Sequence, residues 1–189
     1  MSTGNAFERR GQSLENEFFH RVDAQLAAEL RARMEAEEQQ AELAKVCGVQ
    51  NAEVVAALVK AGIKPQTLAA FSLVPLVRIA WADRMMAPEE KAAILRAAAE
   101  SHCEAGSAAH QLLESWLGHA PPASLFETWT HFVAEMKATC DSGHFEQLRE
   151  GVLKNARAVA AAAGGFLGIH TISAKEEAAL AEVAAALHA

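Results

Sequence analysis

Ala82-Asp83-Arg84-Met85-Met86-Ala87-Pro88-Glu89-Glu90 and Ile169-His170-Thr171-Ile172-Ser173-Ala174-Lys175-Glu176-Glu177 are two versions of one device. Each ends an apolar helix in a short link, sets a hydrophobic residue just before a helix cap, and opens the next helix with adjacent acids, which favour the positive end of the helix dipole. With Ala87 and Ser173 aligned as caps, Met86 falls on Ile172 and Ile94 on Leu180, so the apolar positions stay in phase. The chain therefore reads as two helix-link-helix units, and the repetition speaks to architecture before chemistry.

Composition points the same way. The 189 residues are 51% hydrophobic but only 6% aromatic, so a core must be built from Ala, Leu and Val, and small side chains suit closely packed helices. No segment alternates with the period of a strand. The expected class is all-α. A formal net charge of -7 without a basic stripe argues against nucleic acid as a partner. Cys47, Cys103 and Cys140 are scattered and odd in number, and no charged segment leads into an apolar signal, which predicts a reducing, cytoplasmic location. The longest apolar runs, Leu73 to Ala82 and Ala158 to Ile169, are too short or too Gly-interrupted to cross a bilayer, although attachment to a membrane surface is compatible with the composition.

Ahead of the repeats, residues from about Ala6 to Val46 contain no Pro and predict one long helix, with Asn5 and Glu8 as a capping start and Gly48 as the stop. Leu14, Phe18, Phe19, Val22, Leu26, Leu30 and Met34 form its apolar stripe, whereas Glu35 to Glu42 is almost wholly polar. A short helix follows from the Asn51 cap to Ala61, closed by Gly62. Pro65 opens an apolar helix towards Trp81 that the interior Pro75 must kink or break. Pro88 begins a helix reaching about Cys103, and Ser107 caps another that ends at Gly118. After Pro121-Pro122, Ser124-x-x-Glu127 reads as a capping box, a further helix runs from about Gly143 to Gly164-Gly165, and Ser173-x-x-Glu176 is a second capping box for the last one. Short connections predict a single compact bundle of about seven helices for residues 49–189, preceded by a helical arm, residues 1–48.

The segment Leu73 to Leu95, LVPLVRIAWADRMMAPEEKAAIL, resembles the helix-link-helix signature of TerB-like (tellurite-resistance B) proteins, in which Ala-Asp-Gly ends one helix and Pro-Glu-Glu or Ser-Glu-Glu starts the next. Ala82, Asp83, Pro88, Glu89 and Glu90 match, and Phe166 to Leu180 looks like the second pseudo-repeat. The likeness covers about Leu68 to Leu187. Arg84 replaces the glycine, and since a left-handed backbone is costly for Arg, the link is expected to take another path. In the arm, Leu14-Glu15-Asn16-Glu17-Phe18-Phe19-His20 is similar to the opening helix of the zeta-type inhibitor subunit of bacterial ATP synthases, with Glu15, Asn16, Phe18 and His20 matching.

The TerB-like resemblance implies divalent-cation binding by acids at the link, here Asp83, Glu89 and Glu90. Hard cations take six or more oxygens, and Glu176 and Glu177 come without a counterpart of Asp83, so dipole stabilisation of the helix starts accounts for these acids more simply. Glu17-x-x-His20, Glu127/His131/Glu135, His102-Cys103 and Cys140-x-x-x-His144 lack the repeated spacing of a metal centre. No Gly-x-Ser-x-Gly, HExxH or phosphate loop is present, and Gly164-Gly165-x-x-Gly168 has no preceding strand. Trp81, Trp116 and Trp129 read as core.

The expected function is thus non-enzymatic and without cofactor: a cytoplasmic helical interaction or stress-associated module. Leu14, Phe18, Phe19, Val22, Leu26 and Leu30 of the arm are expected to bind a protein partner or a second copy as a homodimer. A metal-binding regulator using Asp83, Glu89 and Glu90 and an ATP synthase inhibitor acting through the arm are the alternatives.

Overall fold

Pro75 decides how the apolar centre is built. In the computed structural model, which describes residues 4–162 and 172–188 and, within the first helix, side chains only at Arg21 and from Ala24 onward, the run after Pro65 is split. A 3-10 turn, Pro65–Thr67, leads into α3, Leu68–Phe71, and the chain restarts as α4, Val74–Ala80. Pro75 sits in the first turn of α4, where its missing N–H costs nothing, and Leu76 and Val77 both bond back to the Leu73 carbonyl. All of α4 except Arg78 is buried, because the helices Pro88–Glu100, Ala123–Thr139, Ser142–Ala162 and Ala174–His188 each pack against it.

The other elements are α1, Gly4–Cys47; α2, Ala52–Lys60; α5, Pro88–Glu100; α6, Ala108–Gly118; α7, Ala123–Thr139; α8, Ser142–Ala162; and α9, Ala174–His188. No strand occurs among the described residues, so the all-α class holds. Asn51 accepts from Glu53 N and Val54 N, and Ser107 accepts from His110 N, as their positions before apolar runs require. Gly48 and Gly62 close their helices in left-handed conformations, with φ of +71° and +77°.

Two expectations need correction. α1 begins at Gly4 and already contains Asn5, which therefore does not cap it. Ser124 lies inside α7, whose cap position is Pro122, and its carbonyl is taken by the Thr128 hydroxyl. A proline with φ near −65° already presets the extended entry that a capping serine would otherwise organise. α8 starts one residue before Gly143, on an aspartate that sequence reading passed over: Asp141 Oδ1 accepts from Gly143 N and His144 N. The Gly164-Gly165 stop and the first half of the second link lie outside the described residues.

By contacts the chain divides into Met1–Ala41 and Glu42–Ala189. In the second unit one continuous core runs from Leu43 and Val49 through Phe71, Ile79, Ile94, Trp129 and Val159 to Val183 and Leu187. Phe71 and Phe132 meet edge to face at 5.5 Å, and Phe126 stacks on Trp129 at 5.6 Å, so the few aromatic side chains are concentrated where helices need bulk. Among the described residues every buried side-chain nitrogen and oxygen has a hydrogen-bond partner.

Candidate functional site

The two links meet. Pro88 starts α5 and Ala174 starts α9, and in each the third helical residue turns its carboxylate back to the cap. Glu90 Oε2 accepts from Ala87 N at 2.7 Å, and Glu176 Oε2 accepts from Ser173 N at the same 2.7 Å. Ser173 completes its box, its hydroxyl accepting from Glu176 N at 3.2 Å; Ala87 has no side-chain oxygen and leaves the first box half made. Met86 and Ile172, the residues before the caps, both pack on the core.

Turning back buries the acids. Glu90 is 2% exposed and Glu176 5%, and the two carboxyl groups are close enough for Glu176 to act on Glu90. Burial, opposed by the Ala87 N–H and reinforced by the charges of Glu176 and Asp83, pushes the Glu90 carboxyl up to about 7 from an ordinary 4.5. The corner thus brings two buried carboxyl groups together at two helix starts, with the proton on Glu90 held more tightly than on an ordinary glutamate.

Asp83 and Glu89 have other surroundings. Asp83 Oδ1 accepts from Met85 N at 2.9 Å, holding the turn, while Glu89 is exposed. Among the described residues no three His, Cys, Asp or Glu side chains are grouped so as to hold a metal ion. The histidine candidates are dispersed as well: His131 is exposed, Glu135 accepts from Asn51 Nδ2 at 3.1 Å, and His144 lies beside Asp141 at 3.5 Å. Cys103 is buried and its thiol is pushed up by that burial, away from thiolate chemistry. The side chains of Glu17 and His20 lie outside the described residues.

Between the helices of the link, Arg84 overturns an expectation. Its φ is +74°, so the chain follows the left-handed path that glycine ordinarily takes, with Arg84 N bonded to the Trp81 carbonyl at 3.1 Å. A left-handed Arg costs about 1–2 kcal/mol, part of which Gly would return through its freer unfolded chain. Arg84→Gly should therefore stabilise the protein by about 0.5–1 kcal/mol, read as a higher urea midpoint at unchanged slope. A lower midpoint would mean that the Arg84 side chain contributes more than its backbone costs.

No protein-family model, no curated protein and no solved structure matches this chain. The site must be argued from its own atoms. A cleft of 220 Å³ beside α4, lined by Val74, Trp81, Pro121 and Phe126, carries no nucleophile or acid; Arg78 lies over Phe126 at 5.9 Å and is paired with Glu182 at 2.8 Å. Trp81 donates to the Trp116 carbonyl at 2.8 Å, and Trp129 is 2% exposed, so the tryptophans serve packing.

The arm offers the other candidate surface. Leu26, Leu30 and Met34 of α1 are 53%, 55% and 66% exposed. The side chains of Leu14, Phe18, Phe19 and Val22, the remainder of the expected partner-binding stripe, lie outside the described residues, as do those of Glu15 and Asn16 in the inhibitor-like segment. Among the described residues no single helix is long and apolar enough to cross a membrane.

Proposed function

We propose that this chain is a TerB-like helical interaction module without catalytic chemistry of its own, which binds a protein through the apolar stripe of α1. The observation that carries this reading is the exposure of Leu26, Leu30 and Met34 at four-residue spacing on a 44-residue helix. Burying side chains of this size is worth about 1.5–3 kcal/mol each. Left exposed, these side chains leave that free energy unused, and apolar residues repeated on one helix face are the anchors by which helices dock. Glu90 and Glu176 are occupied in capping two helices, so they supply stability to the body. Three free cysteines suit a reducing compartment and the cytoplasm.

The test is sedimentation velocity of the labelled full chain, alone and in cell extract, against Leu26→Glu/Leu30→Glu. Both positions are exposed, so helicity by circular dichroism should stay unchanged while the parent, in at least one of the two conditions, sediments faster than the variant. Equal sedimentation of parent and variant under both conditions refutes docking through α1.

A further inference from the structure

The walls of the cleft beside α4 are held in place by contacts that lie outside it. Trp81, which lines it, donates through Nε1 to the Trp116 carbonyl at 2.8 Å, and that bond fixes the indole plane. Phe126 stacks on the buried Trp129, their centroids 5.6 Å apart and their planes 13° from parallel. Pro121 and Pro122 have φ set by their own rings. Arg78 lies over Phe126 at 5.9 Å and is anchored at Nη2 by the Glu182 carboxylate at 2.8 Å. Trp116, Trp129 and Glu182 do not line the cleft, so the anchors leave it open. A pocket formed in advance loses little of its affinity to ordering when a ligand enters.

Size and lining select the occupant. An apolar cavity of about 150 Å³ accepts benzene, so the 220 Å³ of this cleft suits a single ring with a short polar substituent. Two aromatic faces and two prolines favour a ring over a flexible chain. The substituent follows from charge: Arg78 is the one charged residue of the lining, and its guanidinium carries five N–H donors, of which Nη2 gives one to Glu182. A cationic ligand would stand against that guanidinium with no carboxylate in the lining to receive it. A carboxylate matches the donor fork that Glu182 leaves over. We propose that the cleft binds a small aromatic carboxylate, its ring against Trp81 and Phe126 and its carboxylate on Arg78. Glu182 is then a positioning residue, reaching from α9 to keep the guanidinium at the cleft. All these residues belong to the unit Glu42–Ala189, and the proposal is independent of the docking role of α1.

Proton–nitrogen NMR of the full chain, titrated at pH 7 with phenylacetate and separately with phenylacetamide as its uncharged counterpart, tests the proposal. The Trp81 indole N–H, assigned by its loss in Trp81→Phe, should shift saturably with a phenylacetate Kd below about 1 mM. The amide should bind the same site about fivefold more weakly, because it lacks the charge that Arg78 recognises. Arg78→Gln should bring the acid down to the affinity of the amide and leave that of the amide unchanged, which shows the cleft itself intact. Phe126→Leu should weaken both. A Trp81 resonance unmoved by 10 mM phenylacetate, on the order of ten times the expected Kd, overturns the proposal. So does equal affinity of the parent for acid and amide, which needs no variant to read, and so does a preference for the acid that survives Arg78→Gln.

Discussion

Replacing Glu90 with Gln should make the protein more stable at pH 8 and flatten its stability between pH 4.5 and 7. The folded Glu90 carboxyl titrates at about 7 against an ordinary 4.5. Folding therefore takes up a proton between those values, and stability falls as pH rises through that window. Below the unfolded value the contribution is fully present; above about 7 it is gone, and the Glu90 carboxylate is ionised in a buried corner with Glu176 and Asp83 as neighbours. The separation of the two values bounds the loss at about 3 kcal/mol. Glutamine reproduces the protonated geometry without the proton. Its carbonyl oxygen can still accept from Ala87 N, and its amide can donate to the Glu176 carboxylate, so Glu90→Gln should match the parent near pH 5 and exceed it by about 1–2 kcal/mol at pH 8. Urea unfolding at several pH values between 4.5 and 8.5 reads both effects. Parent and variant curves running parallel would show that the pair does not titrate in the folded state. Glu176→Gln, which removes the charge that Glu90 faces, should flatten the same window.

That corner also shows how far the residues themselves spoke. The repetition of the two links, the phase of Met86 with Ile172 and the reach of Glu176 back to Ser173 were all legible, because capping is local and its partners lie three residues apart. The meeting of Glu90 and Glu176 was not, since it depends on how α5 and α9 are set by the helices between them, and nothing local in a sequence records a contact across 86 positions. Both acids read as ordinary dipole-stabilising residues of helix starts, which says nothing of burial, and they are 2% and 5% exposed. Arg84 failed for another reason. Its side chain argues against a left-handed turn, but the Asp83 carboxylate bonded to Met85 N and the Arg84 N–H bonded to Trp81 fix the turn from both sides, and the strain is tolerated. The split of the apolar helix at Pro75 was readable as a break, whereas Ser124 misled because a proline pair had already taken the capping position.

Leu43→Ala should destabilise the protein by about 2–5 kcal/mol, the ordinary cost of truncating a fully buried leucine. Residue 43 directly follows the polar stretch Glu35 to Glu42, in the half of the arm helix expected to be largely wet or to lie along a polar surface. Instead Leu43 is 0% exposed and belongs to the core that contains Val49 and Leu58, with Ala44 and Cys47 packed beside it. The last turn of α1 is thus part of the body that begins at Glu42. Leu26→Ala, by contrast, removes an exposed side chain and should shift the urea midpoint of a monomeric sample by less than about 0.5 kcal/mol. The pair of variants separates two roles carried by one helix: Leu43 acts on folding, Leu26 on association. It also bears on truncation, because a chain starting after Gly48 loses Leu43 from the core and should unfold more easily than one starting at Glu42, whose core is intact. Equal stability of the two truncated chains, or a Leu43→Ala midpoint indistinguishable from the parent, would show that α1 contributes nothing to the body and that its final turn is only an extension of the arm.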